Sequence, residues 1–418
     1  MTLRRRFWLM TGLRWFPTGL LIPVYALLPL HRGLSIAEFG AVVAVQGFVV
    51  LFLELPTGGL ADSLGRRPLM VTSALVALAS YATFAFAGTF AWFLAASALS
   101  GVFRALDSGP LNAWFVDQTL ASGEGGSVAK GISGAGAVVG TSMALGAVAA
   151  GGLVAWHPFA AIDALATPFL VAAALTLVQI GTTLVLMRES RPAHSLTFRS
   201  SIRAIPRTIV AGAQLAVGNR VLRALLAASV FLGFGVVGLE QFMPIRLSEL
   251  LGNPDMAGVV MGPVSAAAWG ISAIGAAAVP LLLRRWSMPA VSIALVIGEG
   301  AMVVVMGLAA GPAGLILAFF CTYAVHTAFG AIYETMLHGQ VSSSHRATVL
   351  SLSSMVFQPA GSLGALVLGL IATGVSSGMA LVVAGVVFGC AAPLFLVKTA
   401  PHPIRSGTGT GRCGFHPR

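Results

Sequence analysis

Long apolar runs separated by short polar connections are the dominant pattern of this chain. Twelve such runs lie between residues 8 and 398, and each approaches the ~20 residues that a helix needs to cross a bilayer core about 30 Å thick. The 418 residues are 57% hydrophobic and 9% charged, with a mean hydropathy of +0.92. Soluble domains are far more polar. The pattern therefore predicts an all-α, polytopic membrane protein with 12 transmembrane helices.

Positive charge is distributed unevenly over the connections between these runs. Twenty of the 24 Lys and Arg residues fall in alternate connections and in the two tails, whereas only Arg32 and Arg246 fall in the others. Basic residues mark cytoplasmic loops, so we expect cytoplasmic N- and C-termini in a bacterial-type inner membrane. Because the basic residues are dispersed over short turns, the high pI does not indicate nucleic-acid binding.

A basic stretch from Arg188 to Arg223 divides the chain near its middle. We expect a six-helix N-terminal bundle at 1–187, a cytoplasmic basic linker at 188–222, a six-helix C-terminal bundle at 223–398 and a disordered cytoplasmic tail at 399–418. Part of the linker is either an amphipathic helix on the anionic inner leaflet or a solvated loop. Short matches that recur in the same order favour two pseudo-symmetric halves: Gly109-Pro110-Leu111-Asn112-Ala113 with Gly330-Ala331-Ile332-Tyr333-Glu334, and Leu145-Gly146-Ala147 with Leu363-Gly364-Ala365.

The connection between the second and third runs carries the sharpest motif. It reads Gly58-Gly59-Leu60-Ala61-Asp62-Ser63-Leu64-Gly65-Arg66-Arg67-Pro68, which resembles the loop signature of the major facilitator superfamily. An ordinary basic turn explains Arg66 and Arg67 but neither Asp62 nor the glycines. The resemblance implies that Gly58, Asp62, Gly65, Arg66 and Arg67 form a latch with the eleventh helix. The corresponding connection of the second half keeps Arg284 and Arg285 but lacks the Gly and Asp.

Ionisable residues inside the spans are functional candidates, because a charge costs several kcal/mol at the bilayer centre. The resemblance implies that the first, fourth, seventh and tenth helices line a central cavity. Gly101-Val102-Phe103-Arg104 resembles the fourth-helix arginine motif of the superfamily, which is associated with proton transfer. Asp107, three residues on, either neutralises Arg104 in a static pair or takes part in proton transfer. Glu240 and Glu334 are further proton-coupling candidates, and Glu299 ranks lower because the ninth helix is peripheral in the family.

Two further sets of residues are predicted within the spans. Arg14 and Glu54 have similar depths, so they form either an intramembrane ion pair or two separate side chains that reach the interface. The cavity helices also carry polar and aromatic side chains that contact substrate or serve in packing. The substrate-cavity candidates among them are Asn112, Trp114, Phe234 and Tyr333.

The expected function is secondary active transport. Leu53-Glu54-Leu55-Pro56-Thr57-Gly58 and the segment Ser108 to Asp117 resemble bacterial drug-efflux members of the superfamily, although the fifth span matches the antiporter signature only in part, with Thr141 where Pro is usual. We expect proton-coupled efflux of an amphipathic or hydrophobic small molecule by a monomer in the lipid bilayer; uptake of a small metabolite is the alternative. The sequence has no metal-site spacing, nucleophile motif or phosphate-binding loop, so we expect no enzyme activity, no metal and no cofactor beyond the proton gradient.

Overall fold

The computed structural model describes residues 1–123, 125–189, 210, 214–341 and 346–397, without the side chains at 55–56, 58–63 and 346–348. Twelve transmembrane helices follow one another along the described chain. Their bounds are Leu3–Leu21 continued by Leu27–His31 (α1), Ile36–Leu64 (α2), Arg66–Phe86 (α3), Phe90–Leu106 with Pro110–Ala121 (α4), Val128–Trp156 (α5), Thr167–Leu186 (α6), Arg220–Val237 with Gly238–Phe242 and Met243–Leu251 (α7), Pro254–Leu283 (α8), Met288–Leu308 (α9), Pro312–His338 (α10), Arg346–Gly374 (α11) and Ser377–Gly389 (α12).

The lengths and composition of these helices suit a bilayer. With the 3-10 turn Ala392–Leu396 that continues α12, eleven of them, within the described residues, are long and apolar enough to cross a membrane. The remaining helix, α1, carries Arg4, Arg5, Arg6 and Arg14 in its first segment of 19 residues. The predicted all-α membrane fold of two six-helix bundles is confirmed. Residues 190–209 of the expected linker and the whole tail at 399–418 lie outside the described residues, so those two boundaries stay predictions.

Local sequence explains where several helices begin and break. Ser35 and Glu38 form a reciprocal capping box at the start of α2, which satisfies backbone N–H groups that have no partner within the helix. Gly65 has φ +88° between α2 and α3, a conformation that a residue with a Cβ rarely adopts. Gly109, with φ +92°, and Pro110 interrupt α4 after Leu106.

The two bundles meet through small residues at one end of the helices. α5 packs on α8 so closely that a Cβ atom on Gly262 would lie 2.8 Å from the Cα of Gly151. α2 packs on α11 in the same way, with Gly40 against the backbone carbonyl of Ala365. Helices in lipid associate through such close backbone contact. These contacts lie at the end remote from the N-terminus, and a cavity separates the bundles toward the other end.

Candidate functional site

The main cavity lies between the two bundles on the side of the N-terminus. It has a volume of about 560 Å³ and is lined by α1, α2, α4, α5 and α11. Its ionisable and amide side chains are Arg14, Glu54, Arg104, Asp107, Asn112 and Gln358. Apolar side chains from α1, α2 and α5 complete the wall, including Trp15, Val50, Ile132 and Val139. The volume falls within the range of sites for small molecules.

A buried ion pair joins α1 to α4 at the wall of this cavity. Nε of Arg14 donates to Oδ2 of Asp107 at 2.6 Å, and only 8% and 14% of the two side chains are exposed. Nη1 of Arg14 also donates to the hydroxyl of Thr18 at 2.9 Å. The guanidinium carbon lies 4.4 Å from the ring centre of Phe103. These contacts replace the interactions with water that Arg14 loses on burial.

Two predicted pairings are therefore wrong. The sequence pairs Asp107 with Arg104 and Arg14 with Glu54, whereas Arg14 pairs with Asp107. Asp107 keeps its helical position, because it caps the first segment of α4 and its N–H donates to the carbonyl of Phe103. Its carboxylate nevertheless contacts Arg14 of the neighbouring helix α1, a choice between helices that spacing along α4 does not specify.

Arg104 and Glu54 occupy different surroundings in the same cavity. Arg104 is exposed, and no described residue forms an ion pair with it within 4.0 Å. Glu54 accepts a hydrogen bond of 2.7 Å from the hydroxyl of Ser354 on α11. The cavity thus contains one desolvated charge pair, one accessible cation and one carboxylate that ties the two bundles together.

The predicted latch residues have contacts within the N-terminal bundle. Arg66 forms an ion pair with Asp117 of α4, and a side-chain nitrogen of Arg67 donates to the carbonyl of Leu184. The carboxylate of Glu189 accepts from the backbone N–H groups of Arg66 and Arg67 at 2.9 and 3.0 Å. Gly58 and Asp62 lie in α2, and the contacts of residues 58–63 are outside the described part of the structure. A latch to α11 therefore stays a prediction.

Glu189 was missed by sequence reasoning, although a physical signal exists. The first N–H groups of a helix lack intrahelical partners and favour a carboxylate. α3 begins with two arginines and no acidic residue, so its cap comes from the end of α6. A search for an acidic side chain after α6 would have suggested it.

The four predicted substrate-cavity residues separate into two groups. Asn112 lines the cavity. Trp114 does not, because its side chain is 2% exposed and its indole donates to the carbonyl of Arg188. Phe234 and Tyr333 also lie away from this cavity. The Tyr333 hydroxyl donates to the carbonyl of Leu225 at 2.9 Å.

The C-terminal bundle contains its own ionisable cluster. Glu240 is exposed on the π-helical turn Gly238–Phe242 of α7, and such turns are frequent at functional sites. Glu299 of α9 is fully buried, and its Oε1 lies 2.6 Å from Nδ1 of His326 on α10. Glu334 is exposed eight residues further along α10, about 12 Å away along the axis.

Sequence reasoning missed His326 and its contact with Glu299. A single histidine in an apolar span resembles ordinary packing, so it gives no signal alone. The similar depths of Glu299 and His326 do give a signal, because α9 and α10 are antiparallel neighbours. Glu299 lies eleven residues after Met288, and His326 lies twelve residues before His338.

Comparison with known proteins agrees with this architecture. The sequence model described as Major Facilitator Superfamily matches residues 7–365. The human "Major facilitator superfamily domain-containing protein 10" is 34% identical over 92 residues, which span 22% of this chain and only 19% of that protein. Among solved structures, the nucleoside transporter NupG superposes with a TM-score of 0.79 at 13% identity, covering 95% of this chain and 100% of that one.

A second solved structure has the same fold. A bacterial homologue of the human lysosomal transporter Spinster, in an inward-facing and occupied conformation, superposes with a TM-score of 0.72 at 14% identity, covering 94% of this chain and 95% of that one. At such identities the likeness shows the fold alone. The family match extends over most of the chain and identifies a secondary transporter, not an enzyme. This chain belongs to the Major Facilitator Superfamily.

Proposed function

We propose that this chain exports an amphipathic small molecule across a bacterial-type inner membrane in exchange for protons. The observation that carries the proposal is the Arg14–Asp107 pair, which is desolvated yet forms part of the cavity wall. A proton reaching Asp107 from the cavity removes one member of the pair. The position of the pair therefore links protonation to the state of the substrate site.

The energetic consequence of protonation supports coupling. Removing one charge of a buried pair leaves the other without compensation, which costs about 3–5 kcal/mol. After protonation of Asp107, Arg14 keeps the Thr18 hydroxyl and the aromatic faces but lacks a counter-ion. A state in which water or substrate compensates this cation is then favoured. A difference of this size is sufficient to shift a two-state equilibrium strongly.

The cavity lining supports an amphipathic substrate. Trp15, Val50, Ile132 and Val139 give the same cavity an apolar wall in addition to the charged groups of α4. Such a lining favours a molecule with an apolar body and a polar end. Alternating access would occur by rocking of the two bundles, with the close α5–α8 and α2–α11 contacts opening as the cavity side closes. We expect a monomer that uses the proton gradient and no cofactor.

Uptake of a small polar metabolite is the second candidate. Asn112, Gln358 and the exposed Arg104 line the same cavity, and these side chains suit a ligand with several hydrogen-bonding groups. The geometry of the cavity is compatible with movement in either direction. The direction is therefore settled by transport measurements.

Transport by whole cells tests the proposal. Cells that express the chain are loaded with lipophilic dyes, and efflux is followed with and without a protonophore for wild type, Asp107→Asn and the control Glu38→Gln, at a residue that does not line the cavity. We expect protonophore-sensitive efflux in wild type and Glu38→Gln and its loss in Asp107→Asn. Protonophore-sensitive uptake of a polar metabolite without dye efflux would favour the second candidate. Efflux that is unaffected by both the protonophore and Asp107→Asn would contradict proton coupling.

A further inference from the structure

The C-terminal bundle holds a buried acid–base pair that the proposed exchange does not use. Oε1 of Glu299 and Nδ1 of His326 are 2.6 Å apart, and the side chains are 1% and 31% exposed. The other carboxyl oxygen of Glu299, Oε2, is buried and has no hydrogen-bond partner among the described residues. Glu299 therefore depends on His326 for its only polar contact in the described structure.

The missing partner of Oε2 constrains the charge that this pair can bear. An unpartnered oxygen is tolerable on a neutral carboxyl group, but on a buried carboxylate it adds to a large desolvation cost. The pair is electrically neutral overall when it carries two protons, one between Oε1 and Nδ1 and one on Nε2, either as two neutral groups or as an ion pair. Loss of one of these protons would leave a net negative charge inside an apolar bundle.

The surroundings isolate Glu299 from other sources of positive charge. α12 contains no titratable side chain and packs tightly beside the pair, with the backbone of Gly385 against Gly300. α8 presents the neutral Trp269 and Ser272, which contact Tyr323 and Thr327 respectively. His326 is thus the one cationic group facing Glu299 among the described residues.

Two further titratable groups adjoin the pair on its accessible side. Tyr323, one turn before His326, has its ring centre 5.8 Å from the imidazole. Glu240 of α7 is exposed, and its charge influences both Tyr323 and His326. The imidazole of His326 is partly exposed and provides a route for protons to the buried carboxyl group, because it can hold and pass one.

We propose that Glu299 and His326 form a second proton-binding site, located wholly in the C-terminal bundle and loaded through Nε2 of His326. A proton from water binds Nε2, and the proton on Nδ1 passes to Oε1 of Glu299. Unloading reverses these steps. Each bundle then contains a proton-binding pair, Arg14–Asp107 in one and His326–Glu299 in the other. This second site requires neither the substrate nor the direction proposed above.

Infrared difference spectroscopy of the purified, full-length protein in lipid nanodiscs tests the site directly. Spectra recorded across a pH series report protonated carboxyl groups without any substrate. We expect a titrating carboxyl band in wild type that disappears in Glu299→Gln, persists in Glu38→Gln and Asp107→Asn, and moves its midpoint by about one pH unit or more in His326→Gln. Identical pH-difference spectra for wild type and Glu299→Gln would overturn the proposal.

Two controls distinguish the absence of this site from misfolding of a variant and from failure of the proposed exchange. The gel-filtration elution profile and thermal unfolding establish whether Glu299→Gln is folded. If Glu299→Gln is unfolded, His326→Gln becomes the test of the site. An unchanged pH midpoint of the carboxyl band in His326→Gln would overturn proton sharing between the two residues. Wild-type transport that is insensitive to protons, together with a titrating Glu299 band, would contradict the proposed exchange while supporting the site. Proton-coupled transport without a titrating Glu299 band would support the proposed exchange and contradict the second proton-binding site.

Discussion

Glu54 of α2 accepts a hydrogen bond of 2.7 Å from Ser354 of α11, and this bond connects the two bundles at the wall of the cavity. The pair lies beyond the close contact of Gly47 with Ser362 on the same two helices. α2 and α11 therefore stay in contact from their outer ends to the cavity. Rocking of the bundles would change this contact.

Removal of the Glu54–Ser354 hydrogen bond tests how much this bond stabilises the contact between the two bundles. We expect Ser354→Ala to lower the midpoint of thermal unfolding, since a hydrogen bond to a charged group contributes about 1.5–3 kcal/mol. A double-mutant cycle with Glu54→Ala, followed by thermal unfolding in detergent, measures the pair itself. We expect a coupling energy of about 1 kcal/mol or more. Strict additivity of the two changes would show that the bond contributes nothing.

Replacement of Arg14 by lysine tests the need for the planar guanidinium. Arg14→Lys keeps the charge but cannot reproduce the simultaneous contacts with Asp107, Thr18 and the Phe103 ring. We expect transport to fall at least tenfold while the amount of inserted protein stays unchanged, as measured by flux normalised to purified yield. Wild-type flux in Arg14→Lys would mean that charge alone is sufficient.

The glycine contact between α5 and α8 allows a test of whether close packing at the end remote from the N-terminus is needed for stability and transport. Gly262→Ala places a methyl group 2.8 Å from the Cα of Gly151, an overlap that costs about 1–3 kcal/mol. We expect a lower unfolding midpoint and reduced transport. Gly270→Ala is the matched control on the same helix, because a Cβ there meets no atom within 4 Å. Equal behaviour of the two variants would contradict a special role for close packing at Gly262.

Glu189 is expected to hold α3 in place through its capping carboxylate. Glu189→Gln retains one acceptor oxygen but removes the charge and one of the two hydrogen bonds to the backbone of Arg66 and Arg67. We expect a loss of about 1 kcal/mol in stability, measured by thermal unfolding against wild type. A midpoint equal to that of wild type would contradict the capping role.

The helices and the family were predictable because the bilayer imposes length and apolar composition on each span, and because the loop motif lies in consecutive residues. The partner of Asp107 was not predictable from the sequence. Helical spacing leaves Asp107 near Arg104, and its carboxylate pairs with Arg14 instead because of how α1 lies against α4. The His326–Glu299 contact escaped for a related reason, since it depends on which faces of α9 and α10 meet. Pairwise contacts between helices thus depend on packing that spacing alone does not specify.

Transport by reconstituted Asp107→Asn protein tests the central claim most directly. In proteoliposomes, substrate exchange without a gradient is compared with accumulation driven by an imposed proton gradient, for wild type and the variant. We expect Asp107→Asn to retain exchange, since the cavity remains, and to lose proton-driven accumulation. Accumulation at the wild-type rate by Asp107→Asn would contradict the claim that the Arg14–Asp107 pair couples protons to transport.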